Sequence, residues 1–173
     1  MARTEILPGQ AGEAGKPGRI DALYRLHAPD ALRLAYLLTG DATLAEDLAQ
    51  EAFVRAFGRF QHVRNPESFW WYLRRTVVNL SRSHWRHRKA ERAYLARQRT
   101  TEPSVQPDVG ARDRMRRALL HLRPEQRAAV VLRFYEDLTE AQTAEALGCP
   151  VGTVKSMVSR AMERLRTELG GED

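Results

Sequence analysis

Cysteine is almost absent from this 173-residue chain, and the single one, Cys149, excludes an internal disulfide. It lies beside Pro150 and reads as a small packing residue. No set of Cys and His has zinc-ligand spacing, so neither a metal nor another cofactor is expected. No apolar run reaches the roughly 20 residues that cross a bilayer, and the first residues lack the pattern of a secretory signal. The protein is therefore expected to be cytoplasmic. No segment alternates apolar and polar residues as a half-buried strand would, which points to an all-α fold. Nothing supplies a nucleophile or a phosphate loop, so no catalytic residue is assigned and an enzyme is not expected.

Basic charge, by contrast, is plentiful. The net charge is +6 and the pI about 10.0, a balance that favours an anionic partner such as nucleic acid. The charge is unevenly placed. From Arg74 to Arg99 there are nine Lys or Arg and one acid, Glu91, whereas Asp41 to Glu51 is acidic without a basic residue. Two opposite patches imply two different partners.

The stretch from Leu138 to Arg166 reads as two helices joined by a tight turn. Thr139 and Gln142 have the spacing of a capping box. Leu138, Ala141, Ala144 and Leu147 form an apolar stripe, and Gly148 suits the left-handed position that ends the first helix. In the second helix Val151, Val154, Val158, Ala161 and Leu165 make a buried seam. Thr153, Lys155, Ser156, Ser159 and Arg160 point away from it, a hydroxyl and cationic set suited to phosphates and base edges in a major groove. This is the pattern of a helix-turn-helix. An ordinary helical hairpin with a solvated polar face shares much of it.

The remainder divides into modules. Residues 1–18 are rich in Gly without periodicity and are expected to be a mobile tail. Residues 19–96 are helical. Leu23, Leu26, Leu34, Leu37 and Leu38 lie in a first helix. Gly40 and Asp41 end it and cap a second, with Leu44, Leu48, Ala52 and Phe57. Asn65-Pro66-Glu67 opens a third that can run to about Ala90. Residues 97–110, with Pro103 and Pro107, read as a flexible linker. From Ala111 periodicity returns through Met115, Leu119 and Leu122; Pro124 then opens a helix with Val130, Val131 and Phe134. Residues 111–170 thus form a second helical module, which contains the helix-turn-helix.

At 100° per residue, Phe69, Leu73, Val77, Leu80 and His84 share the core side of the third helix. Trp71, Arg75, Val78, Arg82, Trp85, Arg86 and Lys89 share the other, with Asn79 at its edge. Indole rings interleaved with guanidinium groups suit unpaired bases and their phosphates, and Asn79 can hydrogen-bond a base drawn out of the stack. The alternative is a helix buried on both sides, with Trp71 and Trp85 in the core and the arginines snorkelling.

Together these residues resemble the extracytoplasmic-function sigma factors of bacterial RNA polymerase, the small class with two helical domains. Three segments carry the resemblance: Ala45-Glu46-Asp47-Leu48-Ala49-Gln50-Glu51-Ala52-Phe53, Asn65-Pro66 through Arg88, and Gly148-Cys149-Pro150-Val151-Gly152-Thr153-Val154-Lys155-Ser156. It implies that Asp47, Gln50 and Glu51 bind core polymerase, that the third helix melts and reads the −10 element, and that the helix-turn-helix reads the −35 element. The implied partners are core RNA polymerase, promoter DNA and an anti-sigma factor. The −10 helix departs from the family pattern in one place, with Ser83 where an Asp is usual. Two other classes stay open. A duplex-binding regulator accounts for the helix-turn-helix alone, and an RNA-binding protein accounts for the tryptophans alone.

Overall fold

The structure, a computed structural model, describes residues 18–60, 66–95 and 110–170. The expected tail, the cap at Asn65 and nearly all of the linker lie outside the described residues. Seven α-helices and no strand are found among the described residues: α1 (Arg19–Thr39), α2 (Ala42–Phe60), α3 (Pro66–Leu95), α4 (Gly110–His121), α5 (Pro124–Val130), α6 (Glu140–Leu147) and α7 (Val151–Leu169). A single π-turn, Val131–Tyr135, prolongs α5.

Local chemistry explains the breaks. Gly40 takes a left-handed conformation (φ 73°), donates to the Tyr36 carbonyl at 2.8 Å, and so closes α1. The Asp41 carboxylate then accepts from the Leu44 amide at 3.0 Å, which caps α2. The Thr139–Gln142 capping box is formed in both directions, at 3.2 and 2.9 Å, and Gly148 (φ 64°) ends α6. Helix α3 runs one turn further than Ala90. Helix α4 begins at Gly110, the last residue of the expected linker.

Helices α1–α3 pack as one module and α4–α7 as the other, but they do not hang apart on a tether. A single apolar cluster contains Leu34, Leu38, Phe69, Leu73 and Val77 from the first module and Ala128, Leu132, Leu138, Leu147 and Val154 from the second. A smaller cluster of Leu119, Leu122, Val130, Ala161 and Leu165 completes the second module. Burial of one such side chain is worth roughly 1.5–3 kcal/mol, so the shared cluster is a substantial bond between modules.

Five apolar positions differ from expectation, Met115 among them at 45% exposed. Leu26 is 65% exposed and Phe134 59%. Val151 and Ala141 face solvent, while Thr143 and Ala146 are buried in the place expected for Ala141. For Phe134 the reason is the π-turn. Its extra residue rotates the following side chains off the α-helical phase, leaving Val131 and Leu132 inside and Phe134 outside.

Candidate nucleic-acid interface

Helix α7 presents its polar residues as the sequence leads one to expect. Val154, Ala161 and Leu165 are buried beneath it, and Thr153, Lys155, Ser156, Ser159 and Arg160 are all exposed. Two of them already have intramolecular partners. The Lys155 ammonium is 3.5 Å from the Glu140 carboxylate on α6, and the Ser156 hydroxyl donates to the Thr153 carbonyl at 3.0 Å. Exposed pairs of this kind are weak, so DNA can displace them.

Helix α3 is different, and here the assignment needs correction. It is buried on two sides. Phe69, Leu73, Val77 and Leu80 face α1 and α2 as expected. Val78, assigned to the outer face, is fully buried. Trp71 and Trp85, expected as open stacking rings, are half-buried. Trp71 packs against the shared cluster, and the Arg74 guanidinium lies 5.9 Å from its ring centre. The Trp85 ring has the Arg127 guanidinium 5.4 Å from its centre, and its indole nitrogen is buried without a hydrogen-bond partner. Arg82 does not reach into solvent either; its Nη1 donates to the Leu147 carbonyl at 2.7 Å, at the carboxyl end of α6. The physical reason is the second module, which covers the side of α3 carrying residues 71, 78, 82 and 85.

Arg75, Asn79, Arg86 and Lys89 remain exposed. The first three line a cleft of about 560 Å³ between α2 and α3, together with Arg55, Arg59, Tyr72, Thr76, Leu80 and Ser83. On the helical wheel this lining sits about a quarter turn from the tryptophan side. The cleft thus combines four guanidinium groups, two hydroxyls, one carboxamide and one ring. The Arg59 guanidinium lies 5.3 Å from the centre of the Tyr72 ring. Such a lining matches one nucleotide: cations for its phosphates, a ring and an amide for its base. Ser83, which stands where the family pattern has Asp, faces this cleft, so its neutral hydroxyl leaves the lining without a carboxylate. Sequence reading missed Arg55, Arg59, Tyr72 and Thr76. The i, i+4 spacing of Arg55 and Arg59 directly after the acidic run was the available signal.

Asp47, Gln50 and Glu51 are exposed on α2. Glu51 pairs with Arg55 one turn on. Beside them is a groove of about 380 Å³ lined by Tyr24, Pro29, Leu32, Ala49, Gln50 and Phe53 among others. Tyr24, Leu32 and Val54 are exposed, so an apolar strip borders the acidic one.

Arg127, to which the sequence reading gave no role, ties the end of α4 to α5 and reaches across to α1. It is buried, and it donates to Leu38 on α1 (2.5 Å) and to Leu119 (2.9 Å), Leu120 (3.0 Å) and Leu122 (3.2 Å) at the end of α4. Burial pulls its pKa down to about 10, which leaves it charged at neutral pH. Arg74 pairs with Glu136 at 2.6 Å, with both side chains largely covered. Burial pushes the Glu136 carboxyl upward, and Arg74 offsets only part of that. Burial also lowers His84 and His27, both half-buried; the His84 Nε2 has no hydrogen-bond partner, and His27 stacks on Trp70 with ring centres 5.2 Å apart. Cys149 is half-buried against the core, a packing residue.

No group of Cys, His, Asp and Glu able to hold a metal is found among the described residues, and no helix there is long and apolar enough to cross a membrane.

Comparison with known proteins covers both helical modules. Residues 23–91 match the family model for sigma-70 region 2, and residues 112–165 match that for sigma-70 region 4. The chain is 40% identical over 149 residues to the RNA polymerase sigma-E factor of Streptomyces avermitilis, covering 82% of this chain and 80% of that protein. It is 29% identical over 152 residues to the ECF RNA polymerase sigma factor SigW of Bacillus subtilis, covering 79% and 81%. Among solved structures, the sigma factor RpoE of Bartonella quintana, in complex with the anti-sigma factor NepR, superposes with a TM-score of 0.66 at 26% identity. That alignment covers 87% of this chain and 96% of that one.

Proposed function

The chain belongs to the sigma-70 family, in its two-domain extracytoplasmic-function class, and on that premise we propose how its surfaces divide the work of initiation. It is a sigma factor, which binds core RNA polymerase and directs promoter recognition and transcription initiation. The family is non-catalytic; RNA synthesis belongs to the polymerase, and this chain acts as its dissociable specificity subunit in the cytoplasm.

Residues 19–96 form the polymerase-binding and −10 domain, residues 111–170 the −35 domain, and residues 97–110 the linker. The spans of the two family matches support this division. Asp47, Gln50 and Glu51 meet basic groups of the polymerase, and the apolar groove beside them supports a contact that is not charge alone. Thr153, Lys155, Ser156, Ser159 and Arg160 read the −35 duplex. Arg75, Asn79 and Arg86, joined by Arg55, Arg59 and Tyr72, hold a nucleotide of the melted −10 strand; Lys89 extends the basic strip beyond them. Trp71, Arg82 and Trp85 belong to the same helix but reach DNA only when the second module moves away.

The observation that carries this reading is the arginine-lined cleft on α3 in one chain with a helix-turn-helix whose second helix turns a polar face to solvent. A duplex regulator has no use for the cleft, and an RNA-binding protein has none for α7. The test is reconstitution: purified chain with core polymerase should start transcription from promoter fragments selected by that holoenzyme, and core polymerase alone should not. The structure of RpoE with NepR supports an anti-sigma factor as a further partner of this chain. Absence of promoter-specific initiation by the reconstituted enzyme would overturn the reading.

A further inference from the structure

Thr153, Lys155, Ser156, Ser159 and Arg160 on α7 include no acid, yet an acid reaches them from the preceding helix. Glu140 opens α6 directly after the Thr139 cap, and its carboxylate lies 3.5 Å from the Lys155 ammonium. Both side chains are open to solvent, Lys155 at 63% and Glu140 at 43%. Neither is needed to hold the two helices together. The capping box uses Thr139 and Gln142, and Val154, Ala161 and Leu165 make the buried side of α7. A carboxylate at this place works against DNA binding. The first turn of a helix ordinarily attracts phosphate through its amides and its dipole, and a lysine ammonium is a point charge that phosphate also binds. Glu140 repels the phosphate and engages the lysine.

We propose that Glu140 sets the specificity of the −35 contact: it withholds Lys155 from DNA phosphates and presents it to a base edge. The proposal rests on the reading of α7 as the −35 helix. An ammonium carries three donors and no acceptor, so Lys155 can keep one bond to Glu140 and give another to O6 or N7 of a guanine. At a matching sequence the pair is therefore retained. The flexible four-carbon stem is also held beforehand, which reduces the side-chain freedom lost on binding. At any other sequence only phosphates are on offer. Turning Lys155 to them breaks the pair and leaves the carboxylate facing the backbone. Non-specific binding consists almost wholly of such phosphate contacts, so the acid weakens it more than it weakens the matched complex. Discrimination is a difference of affinities, and a repulsive group set against the wrong partner raises it without any new contact to the right one.

The experiment titrates the full chain with two short labelled duplexes at several salt concentrations. One bears the −35 sequence selected by the reconstituted holoenzyme, and the other has the same bases scrambled. Glu140→Gln removes the charge and keeps the length of the side chain, and circular dichroism establishes that the variant is folded. It should bind the scrambled duplex at least about threefold tighter and steepen the salt slope there by about one, the mark of one more phosphate contact. Binding of the −35 duplex should change by less than about twofold, so the ratio between the two falls. Glu140→Asp, which keeps the charge, should bind the scrambled duplex as the wild type does. In a Lys155→Ala chain, Glu140→Gln should no longer steepen the slope, because the group it releases is gone. Equal tightening of both duplexes would overturn the proposal and leave a general charge effect. Loss of binding to the −35 duplex alone would also overturn it, making Glu140 itself a reader of bases. A wild-type chain without preference between the duplexes would overturn the reading of α7, and the proposal with it.

Discussion

Helices α7 and α3 both carry rows of polar and basic residues at helical spacing, yet only in α7 did that row prove to be one surface. Helix α7 lies at the outside of its module and is buried on one side, through Val154, Ala161 and Leu165. Whatever is polar there faces solvent. Helix α3 lies between α1 and α2 on one side and the second module on another, so its polar residues are divided. Arg75, Asn79 and Arg86 line an open cleft, while Arg74 and Arg82 bind across the module boundary. Periodicity shows which residues share a direction; it does not show how many neighbours a helix has.

The difference can be broken most severely at Arg127. Arg127→Met removes donors from four buried or half-buried carbonyls and takes one of two guanidinium groups from the Trp85 ring, leaving Arg88. It should cost about 3 kcal/mol or more, read from the midpoint of urea unfolding. A loss under about 1 kcal/mol would mean that the modules do not depend on it. On α7 the corresponding substitution should leave stability alone and act on DNA. Arg160→Ala is expected to cost about 1–3 kcal/mol in −35 duplex binding if it meets a base, or to lower the salt slope by about one if it meets a phosphate. Duplex titrations at several salt concentrations distinguish these, and no change in either would misplace the recognition helix.

Acidification should separate the modules' histidines from their acids by a smaller margin. His27 and His84 are held below their usual value by burial, so the stability they contribute is present above about pH 6.5 and lost as pH falls through their folded values. Glu136 is raised, so its effect has the opposite sign. Thermal melts from about pH 7.5 to about pH 5.5, a window that brackets the ordinary histidine value, should therefore show falling midpoints, with a shallower fall in His84→Gln. A flat profile would remove the histidines from the account. On α2, too, stability is expected to change little. Reversing Asp47 and Glu51 to Lys should change it by no more than about 0.5 kcal/mol, since both are exposed. Co-elution with core polymerase should nevertheless be lost, and a folded double variant that still co-elutes would free this face of the role.

Much of the fold was legible because its signals are local. The Thr139–Gln142 box, the left-handed Gly40 and Gly148, and Pro66 and Pro124 at helix starts each act within one turn of chain. The exposed row on α7 was legible for the same reason. What was not legible depends on contacts distant in sequence. Arg127 reaches Leu38 across 89 positions and Arg82 reaches Leu147 across 65, and no spacing rule announces such pairs. Trp71 and Trp85 read as open because an arginine-rich helix side reads as solvated; here Arg82 on that side, with the neighbouring Arg74, binds the second module. The π-turn misled in another way, by adding one residue to the phase and turning Phe134 outward.

The central claim is that α3 reads the melted strand through the cleft of Tyr72, Arg75 and Asn79. Permanganate reactivity of −10 thymines in complexes of promoter, core polymerase and this chain tests it most directly. With Arg75→Ala and Asn79→Ala combined, core binding and −35 duplex binding should persist while the thymines lose most of their reactivity. Reactivity equal to that of the wild type on the same intact promoter would contradict the claim and return the cleft to ordinary protein surface.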